Sequence, residues 1–178
     1  MVNRMKEYIT ADLHFGHNNI IKYENRPFKD VSEMDQRIIE MWNEKVKDED
    51  LVYILGDFSF YDGDGTNNIL KQLKGKKILI VGNHDSKFLK DKRFDKYLFE
   101  EIADRKSIKR NKTKIYMSHF PMADWNNREQ GSIHFYGHLH TMQNEVSVYM
   151  TDLRLHGYKC YNVGIDFLGE LVEINDYL

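Results

Sequence analysis

Cysteine is almost missing from this chain: one residue, Cys160, in 178 positions, which excludes an intrachain disulfide framework and a thiolate-built metal site and suits a reducing compartment. Proline is nearly as scarce, at two residues, so no proline-rich linker divides the chain, and neither internal repeats nor low-complexity stretches are visible. No window approaches the roughly 20 apolar residues of a membrane-spanning helix, and residues 1–15 lack an apolar core of signal-peptide length. The expectation is a cytoplasmic protein with no membrane partner. An excess of positive charge is also lacking, with 26 Lys and Arg against 28 Asp and Glu, so any nucleic-acid contact has to be local. The hydrophobic share, 41%, is too high for disorder, and a chain of this length predicts one domain over 1–178.

What is present is a repeated event. Apolar runs at 7–11, 51–55, 77–81, 114–117 and 132–136 read as strands, and each stops at polar residues: Asp12, Gly56-Asp57, Gly82-Asn83-His84-Asp85, Ser118-His119 and Gly137-His138-Leu139-His140. Between them, 32–47 has helical spacing, with Met34, Ile38, Met41, Trp42 and Val46 on one stripe and Ser32 as its expected N-cap. The order strand, helix, strand, helix, strand, then a strand-rich second half, predicts a layered α/β (α+β) domain. The Gly-rich stretch 61–65 reads as a turn, and Asn18 as a cap for a short helix starting at Asn19.

In layered α/β proteins, sites form outside the carboxyl ends of strands, where loops converge. Read as extended segments, Asp12-Leu13-His14 and His138-Leu139-His140 each aim two side chains to one side, to serve one metal or two neighbouring ones. Carboxylate and imidazole donors without thiolate suit Mn, Fe, Zn or Ni, and Asp57 has two oxygens with which to bridge a pair of cations about 3.5 to 4 Å apart. Asn83 adds a neutral oxygen, and the glycines before Asp57, Asn83 and His138 allow sharp turns. One such residue at a strand end is ordinarily a cap or a surface group. Seven in five groups argue for convergence.

The ordered set Asp12-x-His14, Gly56-Asp57, Gly82-Asn83-His84-Asp85, His119 and Gly137-His138-x-His140 resembles the calcineurin-like metallophosphoesterase superfamily in its compact bacterial and phage form. The resemblance extends to Phe15-Gly16-His17 and to Asn162-Val163-Gly164-Ile165-Asp166. It implies a four-layer αββα sandwich, two facing mixed β-sheets flanked by helices. It further implies two divalent metal ions, the first held by Asp12, His14 and His140, the second by Asn83, His119 and His138, with Asp57 bridging. His84 would contact the substrate phosphate or protonate the leaving oxygen, Asp85 would orient its ring, and a metal-bridging hydroxide would attack phosphorus. The implied activity is hydrolysis of a small phosphomonoester or phosphodiester, nucleotides included. The alternatives are a nuclease, which needs the basic stretch 105–114 or a dimer to grip a polymer, and a non-catalytic binding scaffold.

Other residues carry side expectations. His17 is a candidate substrate contact, or else a loop histidine fixed by hydrogen bonds. Arg26 is a candidate bidentate phosphate clamp, and Trp125 a candidate stacking surface for a base, or else a core residue. The run 105–114 reads as a solvated hairpin around Asn111 rather than a nucleic-acid patch. His134 is expected within a sheet, His156 in a polar turn, and Asp166 beside a loop or a ligand histidine.

Overall fold

The computed structural model describes residues 5–178. The first sheet has the order β4-β3-β2-β1-β9, in which β1 (Glu7–Thr10), β2 (Leu51–Ile54), β3 (Lys76–Ile80) and β4 (Glu101–Ala103) run parallel and β9 (Val172–Glu173) lies antiparallel at the edge. The second has the order β5-β6-β7-β8. There β5 (Arg105–Arg110) pairs antiparallel with β6 (Thr113–Ser118), which continues parallel to β7 (Ile133–Tyr136) and β8 (Lys159–Asn162).

Side-chain alternation along the strands builds three buried layers. Tyr8, Val52, Ile54 and Leu79 face α2 (Val31–Lys45) and α3 (Gly63–Gln72), packing on Met34, Ile38, Trp42, Ile69 and Leu70. Their neighbours Ile9, Tyr53, Leu55, Ile78 and Ile80 point the other way, onto Ile115, Met117, Ile133 and Phe135 of the second sheet. The outer face of that sheet, with Tyr136 and Cys160, is covered by Met150 and Leu153 of α5 (Glu145–Leu155). Each fully buried aliphatic or aromatic side chain contributes about 1.5–3 kcal/mol of transfer free energy. The result is the expected αββα sandwich, with β2 apolar on both faces because it is covered on both.

Three local expectations are corrected. The N-cap of α2 is Asp30, whose Oδ1 accepts the Glu33 N–H at 2.9 Å; a carboxylate there also meets the positive end of the helix dipole, and Ser32 lies inside the helix. The glycines at 61–65 open α3 rather than a free turn. Asp62 accepts from Gly65 N at 2.9 Å, and a Cβ on Gly63 would stand 2.6 Å from the Phe94 amide, so the helix start needs glycine for closeness. The residue before α1 (Ile20–Tyr23) is Asn19, and no side chain caps it, so Asn18 does not act there. The hairpin 105–114 is as expected, with β5 and β6 joined through Asn111 and Lys112 in left-handed conformations, the geometry of a tight two-residue turn.

Candidate metal centre

The carboxyl ends of β1, β2 and β3 in one sheet and of β6 and β7 in the other meet along one rim. The segments there are not extended. Asp12, His14, Asp57, His138 and His140 all have positive φ, between 47° and 70°, each at a cost of about 1–2 kcal/mol for a residue with a Cβ. Asp12 and His14 fall in one group of candidate ligands, while His138 and His140 fall in two neighbouring ones, the second of the two arrangements open to such a pair.

Ligand atoms of Asp12, His14 and His140 lie within 4.8 Å of one another, and those of Asp57, His119 and His138 form a second such group. Oδ2 of Asp57 stands 3.6 Å from Nε2 of His14 in the first group and 3.6 Å from Nε2 of His119 in the second. Oδ1 of Asn83 is 2.9 Å from His119 Nε2, beside the second group. A third group, Glu24, His140 and Asp166, shares His140 with the first, and its Asp166 is engaged by Arg26. The cradle is tight: a Cβ on Gly82 would lie 2.3 Å from Asp57 Oδ1, and one on Gly137 2.8 Å from Asp12 Oδ2. Across the two sheets, Asp12 accepts the His138 N–H at 2.9 Å.

The donor set fits cations. Burial outweighs the opposing charges nearby, pushing Asp12 up to about 8 and His14, His119 and His138 down, which leaves neutral imidazoles with free lone pairs. His14 Nε2 is buried with no hydrogen-bond partner. His119 Nδ1 lies 2.8 Å from the Leu55 carbonyl, which only accepts, so the proton of the neutral ring belongs there. Its Nε2 lone pair then faces the Asn83 oxygen, an arrangement that a cation against both atoms relieves.

His140 Nδ1 meets Asp166 Oδ2 at 2.7 Å. Burial opposes charge on that ring, but the bond to Asp166 and the nearby Asp12 outweigh it and raise the pKa. Burial also works against the Asp166 charge, and the bonds from His140 and Arg26 overcome it and lower its pKa. Asp166 thus holds the ring of His140, one of the ligand candidates.

The other expectations divide. His84 is exposed at the rim, with Nε2 3.9 Å from Asp57 Oδ2. Asp85 is turned away from that ring: its carboxylate accepts backbone N–H groups of Gly82 (2.7 Å), Phe58 (2.8 Å) and Asp57 (3.0 Å), and burial raises its pKa to about 6. Arg26 is no open phosphate clamp. It is buried, forks onto Asp166 at 2.6 and 2.8 Å, and donates to the carbonyls of Leu13 and Asp12, which leaves no face for a phosphate. Trp125 lies in the core under α5 with Nε1 on the Ser132 carbonyl, so it offers no stacking surface. His17 sits at the rim with Nδ1 3.0 Å from His14 Nδ1. His134 is buried in β7 and accepts the Met122 N–H, and His156 caps α5.

Sequence reasoning missed two aromatic walls. Phe60 stacks on His17, with centroids 3.8 Å apart and planes at 10°, and lies 4.9 Å from His84. Phe120, about half exposed, sits 4.5 Å from His138. The available signal was an aromatic next to a ligand loop that continues no apolar run.

The profile of the Calcineurin-like phosphoesterase superfamily domain matches residues 5–164, which contain all seven of these ligand candidates. The chain belongs to this superfamily. Over 82 residues it is 46% identical to the Uncharacterized protein MJ1445 of Methanocaldococcus jannaschii, covering 45% of this chain and 47% of that protein, so it spans about half the length of that relative. It is 29% identical over 192 aligned residues to the Gene 66 protein of Mycobacterium phage L5, covering 93% and 89%. Among solved structures, the Protein of Unknown Function AQ665 from Aquifex aeolicus superposes with a TM-score of 0.73 at 25% identity, covering 97% of each chain. No helix among the described residues is long and apolar enough to cross a membrane.

Proposed function

We propose that this protein is a metal-dependent phosphoesterase that hydrolyses phosphomonoester or phosphodiester bonds of a small substrate. In this reading Asp12, His14 and His140 would hold one cation and Asn83, His119 and His138 a second, with Asp57 between the two groups serving both. The observation that carries it is the position of Asp57 Oδ2, 3.6 Å from a histidine of each group. Two divalent cations lower the pKa of bound water and neutralise charge developing on a phosphoryl group.

The chain's own residues supply the rest. Gly82 and Gly137 keep the space beside Asp57 and Asp12 clear. In hydrolysis, water contributes OH to phosphorus, the bond to the ester oxygen breaks, and that oxygen takes a proton. His84, exposed at the rim beside Asp57, is placed to give it. Phe60 and Phe120 offer apolar surface on which the ring of an aryl or nucleoside ester stacks. Within the basic hairpin, Arg110 is paired with Glu7 and Lys106 with Glu101, so two of its six basic side chains are already neutralised.

The test is turnover of bis-p-nitrophenyl phosphate, p-nitrophenyl phosphate, nucleotides and a short oligonucleotide by protein supplied with Mn2+, Zn2+, Ni2+ or Fe2+, with a chelated control. Turnover of either aryl ester that chelation abolishes is expected. Metal-replete protein inert toward every ester would sink this reading, and steep salt-dependent turnover of the oligonucleotide alone would favour a nuclease.

A further inference from the structure

A metal-ligating histidine almost always gives the proton of its second ring nitrogen to an acceptor, and that bond fixes the tautomer and the ring plane. Two of the ligand candidates have their rings held in this way, by different partners. His119 has the Leu55 carbonyl at 2.8 Å, and His140 has the Asp166 carboxylate at 2.7 Å. His14 has neither kind of group. Its Nδ1 is 3.0 Å from Nδ1 of His17, and its Nε2 faces Asp57 unbonded.

We infer that His17 is a positioning residue for the first cation site, holding His14 in the Nδ1–H tautomer so that the Nε2 lone pair points at the cation. The inference rests on the metal-dependent reading above. Two Nδ1 atoms at 3.0 Å need one proton between them. A lone pair on His14 Nε2 puts that proton on His14 Nδ1, so His17 accepts it and carries its own hydrogen on Nε2. His17 is built for the task by local structure. Its backbone N–H bonds the His14 carbonyl at 3.0 Å, closing a turn that brings the rings together, and Phe60 stacks on its face. Its sequence position next to Gly16, which has φ +77°, lets the chain double back so soon after His14.

The stack and the acceptor can be separated by substitution. His17→Phe and His17→Leu fill the space without an acceptor, the first retaining a flat ring against Phe60. His17→Asn loses the ring but places Oδ1 where Nδ1 stood. Full-length wild type and variants are titrated with Mn2+ and with Zn2+ by equilibrium dialysis, and the metal-free forms are compared by thermal melting. The expected result is two ions on the wild type, one of them bound 10–100-fold more weakly by the Phe and Leu variants at unchanged metal-free melting temperature, with most of the affinity regained in the Asn variant, the range being typical for removal of a group that supports a ligand. Wild-type affinity at both sites in the Phe and Leu variants overturns the inference, as does an Asn variant no better than they are. A wild type that takes up neither ion removes the metal-dependent reading and the inference with it, a result separate from any difference among variants.

Discussion

Oδ1 of Asp57 accepts the backbone N–H of His84 at 2.9 Å, while the ring of His84 reaches only to 3.9 Å from the other oxygen of that carboxylate. The loop bearing His84 is therefore anchored through its main chain, and the ring is left free for a substrate. His84→Ala is expected to lower kcat by about 10²–10⁴, the usual range for a lost proton donor, with melting temperature and bound-metal count unchanged. Steady-state kinetics together with metal analysis of the same sample check this. A variant as fast as the wild type would take His84 out of the proton step.

Arg26 lies under the site rather than in it. Arg26→Met keeps the apolar stem but leaves Asp166 buried opposite His140 alone, and a loss of about 3–5 kcal/mol of stability is expected, read by denaturant unfolding. A phosphate clamp would give the opposite pattern, in which KM rises and the unfolding midpoint stays where it was.

For Asp85 the prediction is a clash of donors. Three backbone N–H groups point at its two oxygens, so Asp85→Asn must turn an NH2 toward at least one of them. A loss of about 1–3 kcal/mol is expected in thermal or chemical unfolding, the cost of leaving a buried polar group unsatisfied. Equal stability would show that the loop relaxes around the amide.

His134 sets an acid limit. Burial pushes its pKa down from 6.5 to about 4, and its Nε2 accepts the Met122 N–H, which a protonated ring cannot do. The folded pKa lies below the unfolded one, so the unfolded chain binds a proton that the folded chain refuses. This contribution is complete above about pH 6.5 and is lost as pH falls toward 4, by up to about 3 kcal/mol. Wild type measured against His134→Gln isolates it, because the other titrating groups are common to both. A difference between the two that does not vary with pH would refute the assignment.

Much of the site was legible because polar residues after apolar runs mark strand ends, and the five runs are strands within a residue or two of the expected bounds. What was not legible depends on contacts distant in sequence or on backbone twist. Arg26 and Asp166 are 140 residues apart, and no local pattern joins them. The residues around Trp125 do not choose between a stacking surface and the core, because the helix that covers it, α5, comes later in the chain. The left-handed backbone at His138 and His140 is likewise something that Gly137 before them only hints at.

That left-handed backbone has a thermodynamic consequence. The unfavourable torsions of Asp12, His14, Asp57, His138 and His140 are held by the strands and amide bonds of the rim, among them the His138 N–H on Asp12. On the metal-dependent reading proposed above, the rim is a preorganised chelate. Uptake of metal should bury little new apolar surface and show a heat-capacity change near zero in calorimetry, with dehydration of the ion, rather than closure of loops, setting its pace.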